Sequence, residues 1–415
     1  MKAASKAEVR DGQTMEVQRR EGVLDTMVVV CNRLYHWGPL TALFIILFIL
    51  LTSMYVTSMW WSPYKYTGGA INTGIFLIWV FLLLLNFMKA LGVGPGFVPR
   101  HWRPATSEEE QFLQYCALCD GFKSPRSHHC RKCGRCVFKM DHHCPWINTC
   151  CGHRNQASFT LFLFFCVCGS IHAAVLLTTG LYKAYYKKYY IQKKQMDDLV
   201  HLRFFPLLAT VLSLGLSIGV VVALTGLLYI QLKIIIRNET TIENWIITKA
   251  HMRERELGDE FVYPYDLGVA ENIKQVFWYK LGDGVNWPIV AGTNQYTLTV
   301  EQIMQKADKR LRTRLYSVIN PYNGSCFPLS QGLCVCLSSP CSDEPRVRIC
   351  PGDQVLVSRW KTHWLYGEVE ARHGKRRNLK GWFPRKCVAE VSTGPGHSSR
   401  SAIGGCDISS KKKNL

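Results

Sequence analysis

A dense cluster of cysteine and histidine residues constrains this chain more than any other feature. Residues 115–152 hold eight of the eighteen cysteines and four of the thirteen histidines. Several of the cysteines form CxxC pairs, which present two thiolates to one ion and are typical of tetrahedral zinc. Two zinc ions need eight ligands, and this stretch offers twelve Cys and His side chains. The surplus leaves at least one thiol free for chemistry.

The segment Asp141-His142-His143-Cys144 has the composition of an activated nucleophile. An imidazole beside a thiol can take its proton, and a carboxylate beside the imidazole can orient it and stabilise the imidazolium. The alternative is that Cys144 and both histidines are further zinc ligands, because clustered Cys and His usually bind metal. Spacing alone leaves both interpretations open.

The whole cluster resembles the cysteine-rich domain of the DHHC family of protein S-acyltransferases, or palmitoyltransferases. Residues 115–152 contain the segments CxxC, PRSHHCRKC, DHHCPW and NTC. The resemblance implies that Cys144 is the acylated nucleophile, that His142 is its base and that Asp141 orients this base. It also implies two structural Zn²⁺ sites, with long-chain acyl-coenzyme A as the acyl donor. One site would use Cys116, Cys119, His129 and Cys136, and the other Cys130, Cys133, His143 and Cys150.

The chain departs from the family pattern in two places. Thr149 stands where the family usually has a second Asn, which is a small polar change. Gly94-Pro95-Gly96 stands where the family typically has Asp-Pro-Gly, so an acidic residue is missing. In contrast, Thr240-Thr241-Ile242-Glu243 matches the family's TTxE motif, which lies near the active site in relatives.

Four long apolar runs predict four transmembrane helices. They cover about residues 39–60, 70–91, 159–182 and 204–230, the last extending towards 236. Each is long enough to cross roughly 30 Å of hydrocarbon, and buried helices of a soluble protein would carry polar stripes that these runs lack. Small residues in the last two runs would make room for an acyl chain, or would simply allow close helix packing. They are Gly169, Ser170, Gly215, Ser217 and Gly219.

Four spans place both termini and the zinc domain on one side of the membrane. Thiolate ligands and a high Lys/Arg content indicate that this side is the cytosol. The loop 183–203 is then lumenal although it is basic, a conflict that zinc chemistry and the number of spans outweigh. The predicted segments are an N-terminal arm (1–38), helices 1 and 2 (39–91), the zinc domain (92–157), helices 3 and 4 (158–236), a tail (237–313), a second domain (314–393) and a linker (394–415).

The second domain resembles a Src-homology-3 (SH3) domain. Four strand-like pieces alternate with turns, in the order PGDQVLV, WLYGEV and GWFPRKCVAEV after a first strand near Tyr316. Leu365 replaces one Trp of the usual pair, and an insertion at 322–344 occupies the region of the ligand-reading acidic loop, so ordinary PxxP binding is not expected. The cysteines of the insertion are either S-acylated or ordinary free thiols, and the sequence leaves both interpretations open. These are Cys326, Cys334, Cys336 and Cys341.

The chain ends in Lys412-Lys413-Asn414-Leu415, which resembles the dilysine retrieval signal of endoplasmic-reticulum membrane proteins. Such signals require a cytosolic C-terminus. Together with four spans and an SH3-like domain, this ending resembles an endoplasmic-reticulum member of the DHHC family. The sequence therefore predicts an α-helical polytopic membrane protein with a two-zinc cysteine-rich domain and a small C-terminal SH3-like β-barrel.

The function expected is a ping-pong S-acyltransferase that acts through acyl-Cys144 on cysteines of membrane-associated substrate proteins. A regulatory partner or another acyltransferase would act on the SH3-like domain. The alternative is an inert zinc-stabilised membrane adaptor that recruits partners through the SH3-like domain. The basic zinc domain also fits a nucleic-acid-binding zinc finger, but a loop tethered between membrane spans argues against a nucleic-acid partner.

Overall fold

Four long helices dominate the first part of the chain. The computed structural model describes residues 28–194, 199–253, 260–278, 282–342, 344–369 and 379–391. It divides into two compact units, Met1–Ile303 and Met304–Leu415. The long helices are α1 (Trp37–Trp60), α2 (Thr67–Val93), α3 (Gln156–Tyr185) and α5 (Phe204–Ile236), with a short α4 (Lys187–Gln192) between the last two. All four long helices are apolar enough to cross a membrane, which confirms the four predicted spans.

Helix α3 is the most buried of the four and packs against the other three. Gly180 marks its closest approach to α1, because a Cβ built there would lie 2.1 Å from Cγ1 of the buried Val56. A side chain at this position would push the helices apart. His172 is satisfied within the bundle, where its Nε2 lies 2.9 Å from Oδ1 of Asn72 on α2.

The loop between α2 and α3 contains three two-stranded antiparallel hairpins. His129 pairs with Cys136 in the second hairpin and His143 pairs with Cys150 in the third, so these two hairpins each bring a His opposite a Cys. The tip of the third hairpin is embedded among the helices, because Cys144 and Ile147 belong to the same buried cluster as Phe87 and Phe159. The hairpins are β1 (Tyr115–Cys116) with β2 (Gly121–Phe122), β3 (His128–Cys130) with β4 (Arg135–Val137), and β5 (His142–Cys144) with β6 (Thr149–Cys151).

The TTxE motif begins the first helix after α5. The side-chain oxygen of Thr240 accepts the N–H of Glu243, and the Glu243 carboxylate accepts the N–H of Thr240 at 2.8 Å. This reciprocal pair is a capping box, which satisfies two backbone donors at a helix start. The helices that follow are α6 (Thr241–His251), α7 (Val269–Phe277) and α8 (Thr297–Leu311).

The second unit is a five-stranded antiparallel sheet, in agreement with the predicted SH3-like domain. Its core contains Trp364, Phe383, Ile349 and Val335. A five-residue helix, α9 (Leu333–Leu337), lies in the insertion. The strands are β7 (Arg314–Val318), β8 (Gln354–Trp360), β9 (Trp364–Val369), β10 (Leu379–Pro384) and β11 (Val388–Glu390). Their order in the sheet is β10-β9-β8-β7-β11. The finer domain boundaries given above stay predictions.

Candidate active site and metal centres

The structure gathers the first predicted ligand set at one point. The Nδ1 atom of His129 lies 3.5 Å from Sγ of Cys116, 3.3 Å from Sγ of Cys119 and 3.9 Å from Sγ of Cys136. The four donor atoms lie within 4.8 Å of one another. Tetrahedral zinc with Zn–S of about 2.3 Å and Zn–N of about 2.0–2.1 Å separates sulfur and nitrogen by roughly 3.6 Å, so this set fits the ion.

The second predicted set is arranged in the same way. Nδ1 of His143 lies 3.4 Å from Sγ of Cys133 and 3.7 Å from Sγ of both Cys130 and Cys150. A thiolate-rich set with this spacing suits a closed structural zinc site. His142 and Cys144, which the resemblance excludes as ligands, lie in neither group. The two groups therefore fit two structural zinc ions that would hold the hairpins together.

The carboxylate of Asp141 accepts hydrogen bonds from three different segments. Its Oδ2 lies 2.8 Å from Nδ1 of His142 and accepts Nε2–H of Gln231 on α5 at 3.0 Å. Its Oδ1 accepts the backbone N–H of Thr241 at 2.7 Å. Asp141 is buried, so these donors fix both the carboxylate and the imidazole beside it.

The surroundings of His142 and Cys144 favour an imidazolium beside a thiolate. Burial opposes ionisation of Asp141, but the hydrogen bonds from His142, Thr241 and Gln231 lower its pKa to about 2. Burial likewise opposes protonation of His142, yet the hydrogen bonds with Asp141 and Cys144 raise its pKa to about 9. A hydrogen bond from Cys151, and the nearby imidazole, lower the pKa of Cys144 to about 5 against the cost of burial.

Cys144 lies at the edge of an apolar cavity of about 590 Å³ within the helical bundle. The walls come from α1, α3 and α5, and include Ile46, Phe159, Leu163 and Leu224. Gly215 and Gly219 also line the cavity and face open space, whereas Gly169, Ser170 and Ser217 are not among its lining residues. This volume falls in the range of about 300–1,000 Å³ usual for small-molecule sites.

A buried ion pair joins the loop between α2 and α3, called the zinc loop, to the capping box of α6. The guanidinium of Arg126 contacts both carboxylate oxygens of Glu243, at 2.7 and 2.8 Å, and both side chains are fully enclosed. The Arg126 guanidinium also lies over the rings of Tyr265 and Trp287, at 4.3 and 4.7 Å from the ring centroids. Lys139 donates to Oδ1 of Asn238 at 2.8 Å, and burial together with Arg126 lowers its pKa to about 7.

Two features of the site were not found by sequence reasoning. Gln231 lies within an apolar helix, and only its position shows that it contacts Asp141. Gly94 has a φ of +68°, a conformation that favours glycine, and a Cβ there would lie 2.7 Å from Nη1 of Arg33. Arg33 itself donates to the carbonyl of Leu91 at the end of α2 at 2.6 Å. With a ψ of −177° as well, the backbone at Gly94 adopts a conformation that is essentially restricted to glycine, which accounts for glycine where the family typically has an acidic residue.

The remaining predicted positions belong to the second unit or to residues outside the described ranges. Cys326, Cys334 and Cys341 are exposed and Cys336 is half-buried, all in the insertion of the second unit. Lys412 and Lys413 lie outside the described residues.

Comparison with known proteins gives consistent matches. A family model described as DHHC palmitoyltransferase matches residues 109–248. The chain is 44% identical over 378 residues to palmitoyltransferase ZDHHC6 of Mus musculus, covering 86% of this chain and 91% of that protein. It is 42% identical over 394 residues to palmitoyltransferase ZDHHC6 of Danio rerio, covering 88% and 95%. It is also 31% identical over 246 residues to probable protein S-acyltransferase 16 of Arabidopsis thaliana, covering 57% and 82%.

The geometry predicts that each ligand group binds its own zinc ion. We expect Cys119→Ser and Cys133→Ser each to lower the zinc content of the purified protein from about two ions to about one or fewer, because serine is a poor ligand for zinc. Inductively coupled plasma mass spectrometry measures this, with exposed Cys31→Ser as the matched control. Full zinc content in either ligand variant would contradict the assignment of that group.

Proposed function

Because the chain belongs to the DHHC palmitoyltransferase family, we propose that this membrane-embedded S-acyltransferase uses Cys144 to carry a long-chain acyl group from acyl-coenzyme A to substrate cysteines. The observation that carries the proposal is the position of Cys144. Its thiol borders the apolar cavity and interacts with His142, which is itself held by Asp141. A nucleophile, its base and an apolar cavity therefore meet at one point, as acyl transfer requires.

The first half-reaction forms the acyl-enzyme. His142 holds the proton of Cys144, and the Cys144 thiolate attacks the thioester carbonyl carbon. A new carbon–sulfur bond forms, and the carbon–sulfur bond to coenzyme A breaks. The departing thiolate of coenzyme A takes the proton from His142. Asp141 keeps the imidazole oriented throughout and stabilises its charged form, the role of the acid in a nucleophilic triad.

The second half-reaction returns the enzyme to its starting state. A cysteine of a membrane-associated protein gives its proton to His142, and its sulfur attacks the carbonyl carbon of acyl-Cys144. The Cys144 thiolate leaves and again pairs with the imidazolium. Zinc, when bound, would hold the hairpins that carry these residues and would take no part in either step.

The cavity gives a reason for the use of long acyl chains. Each methylene moved from water into an apolar site contributes about 0.8 kcal/mol. Because the lining is almost wholly apolar, the chain would be held there while its thioester stays beside Cys144. An inert adaptor would need neither this cavity nor the contact between His142 and Asp141, so these features favour the enzyme over the adaptor.

The cytosolic orientation of the zinc domain and residence in the endoplasmic reticulum are part of the same proposal. Thiolate ligands suit a reducing compartment, which supports the cytosolic side for the zinc domain. Retrieval would depend on Lys412 and Lys413. If fluorescence microscopy found the variant Lys412→Ser, Lys413→Ser in the same compartment as the unchanged protein, retrieval through these lysines would be contradicted.

We also propose that one or more cysteines of the insertion are S-acylated, with the acyl group attached by another acyltransferase or a regulatory partner. The candidates are Cys326, Cys334, Cys336 and Cys341. Three of these thiols are exposed and are therefore accessible to an acyl donor. Mass spectrometry of the cellular protein, with no thioester on any of the four, would end this proposal.

Replacement of the nucleophile tests the enzyme directly. With alkyne-tagged palmitoyl-coenzyme A in detergent, we expect Cys144→Ser to lose the hydroxylamine-sensitive label on the peptide that contains residue 144. Zinc should stay at about two ions per chain, because Cys144 lies in neither ligand group. Cys31→Ser is the matched control and should label normally. Unchanged labelling of Cys144→Ser, or loss of zinc with it, would favour the adaptor.

The charge state of the site predicts a broad pH plateau for self-acylation. The thiolate of Cys144 is present above its pKa of about 5, and the imidazolium of His142 is present below its pKa of about 9. We expect single-turnover acylation to fall below about pH 5 and above about pH 9. In Asp141→Asn the upper limb should move to lower pH, because the hydrogen bond from His142 to a charged carboxylate is lost. A rate that climbs steadily through pH 8–9, as for an ordinary thiol, would contradict the ion pair.

A further inference from the structure

The insertion of the second unit presents an apolar surface to solvent. Residues 325–341 contain no charged side chain. Within this segment Phe327, Leu329, Leu333 and Leu337 are 78%, 71%, 70% and 87% exposed. We call these four residues the apolar tip. Four large apolar side chains this exposed within one short segment indicate an interaction surface, because soluble proteins rarely leave large apolar patches facing water.

The apolar tip is held out from the barrel by fixed contacts on its inner side. Val335, in the same short helix as Leu333 and Leu337, is buried in the core, and its carbonyl accepts the indole N–H of Trp364 at 3.0 Å. The thiol of Cys387 donates to Oε1 of Gln331 at 3.5 Å. The insertion thus buries one face against the barrel and turns the other outward.

The far end of the insertion is fixed as well. Arg346 donates to Oγ of Ser339 at 2.8 Å and to the carbonyl of Pro340 at 3.0 Å. At the near end, the hydroxyl of Tyr322 donates to the carbonyl of Ser325 at 2.5 Å. With both ends tied to the barrel, the outward direction of the four side chains is a property of the fold.

Positive charge lies at the base of the apolar tip. Lys386 lies beside Gly332, because its Nζ is 3.2 Å from the position of a Cβ built on that glycine. In the chain, Gly332 lies between Leu329 and Leu333. Arg385 and Lys386 are both exposed. Over residues 314–393 the sequence has twelve Lys and Arg against six Asp and Glu. An uncharged apolar tip above a cationic base is the arrangement by which peripheral segments bind anionic membrane surfaces.

We propose that the apolar tip docks into the boundary between headgroups and acyl chains of a bilayer that contains anionic lipid, with Lys386 and Arg385 at the level of the phosphates. The occupant is lipid because the chain spans a membrane, so a bilayer is always within its reach. Docking of this kind needs no covalent acyl chain.

Photo-crosslinking in nanodiscs tests the docking. The full chain would carry p-benzoylphenylalanine in place of Leu337, in a background with Cys326→Ser, Cys334→Ser, Cys336→Ser and Cys341→Ser that removes any acyl tether. In nanodiscs that contain phosphatidylserine, irradiation should add a lipid mass to the peptide with residue 337. The same crosslinker in place of Glu390, an exposed strand residue in an ion pair with Arg314, is the matched control and should gain none. Adding Phe327→Ser, Leu329→Ser and Leu333→Ser should abolish the adduct at 337.

Three results would overturn the proposal. An adduct at 337 that requires the native cysteines would mean that covalent acyl chains provide the anchor. Crosslinking to a second copy or to another protein would give the surface a different partner. Equal lipid adducts at 337 and 390 would mean unspecific contact with the bilayer. Labelling of Cys144 in the same samples reports separately on the acyltransferase, so the failure of one proposal is not read as failure of the other.

Discussion

The arrangement of the site depends on the hydrogen bonds that the buried carboxylate of Asp141 accepts. This carboxylate accepts from an imidazole on the third hairpin, an amide on α5 and the backbone at the start of α6. The backbone N–H of Asp141 also donates to the carbonyl of Cys151 at 3.0 Å. A buried carboxylate without such donors would be costly, so the charge itself draws these segments together. The positions of His142 and of the hairpin that carries Cys144 are therefore set by the same contacts that satisfy one buried anion.

Buried charge also joins the zinc loop to the polypeptide beyond the bundle. Arg126 and Glu243 form a fully enclosed pair, and removing one partner of such a pair typically costs about 3–5 kcal/mol because the other is left uncompensated. Asn238 receives both Lys139 and Arg126 on its side-chain oxygen, and its amide donates to the carbonyl of Tyr265 at 2.8 Å. These polar contacts fix one relative position, whereas apolar contacts alone would tolerate several. The zinc loop and the segment that follows α5 are thus held in one fixed position relative to each other.

Much of this structure is predictable from the sequence because it rests on local patterns. The four spans follow from long apolar runs, and the two ligand groups follow from family spacing, since CxxC pairs close onto one ion over a few residues. Gln231 could not be found in this way, because its partner is 90 residues away in the chain. The same holds for Arg33, which lies beside Gly94 although α1 and α2 separate the two residues in the chain. Long-range contacts of single side chains leave no periodic or spacing signal.

The burial of Trp364 has a consequence for how the second unit meets peptides. This residue is the remaining member of the tryptophan pair usual in SH3 domains, and its indole N–H is already donated to Val335 of the insertion. A segment tied to the barrel at both ends competes with any incoming peptide at an effective concentration on the order of millimolar or above. A proline-rich ligand of ordinary weak affinity would lose this competition. The insertion therefore covers Trp364, whose indole would become accessible only if the insertion were first displaced.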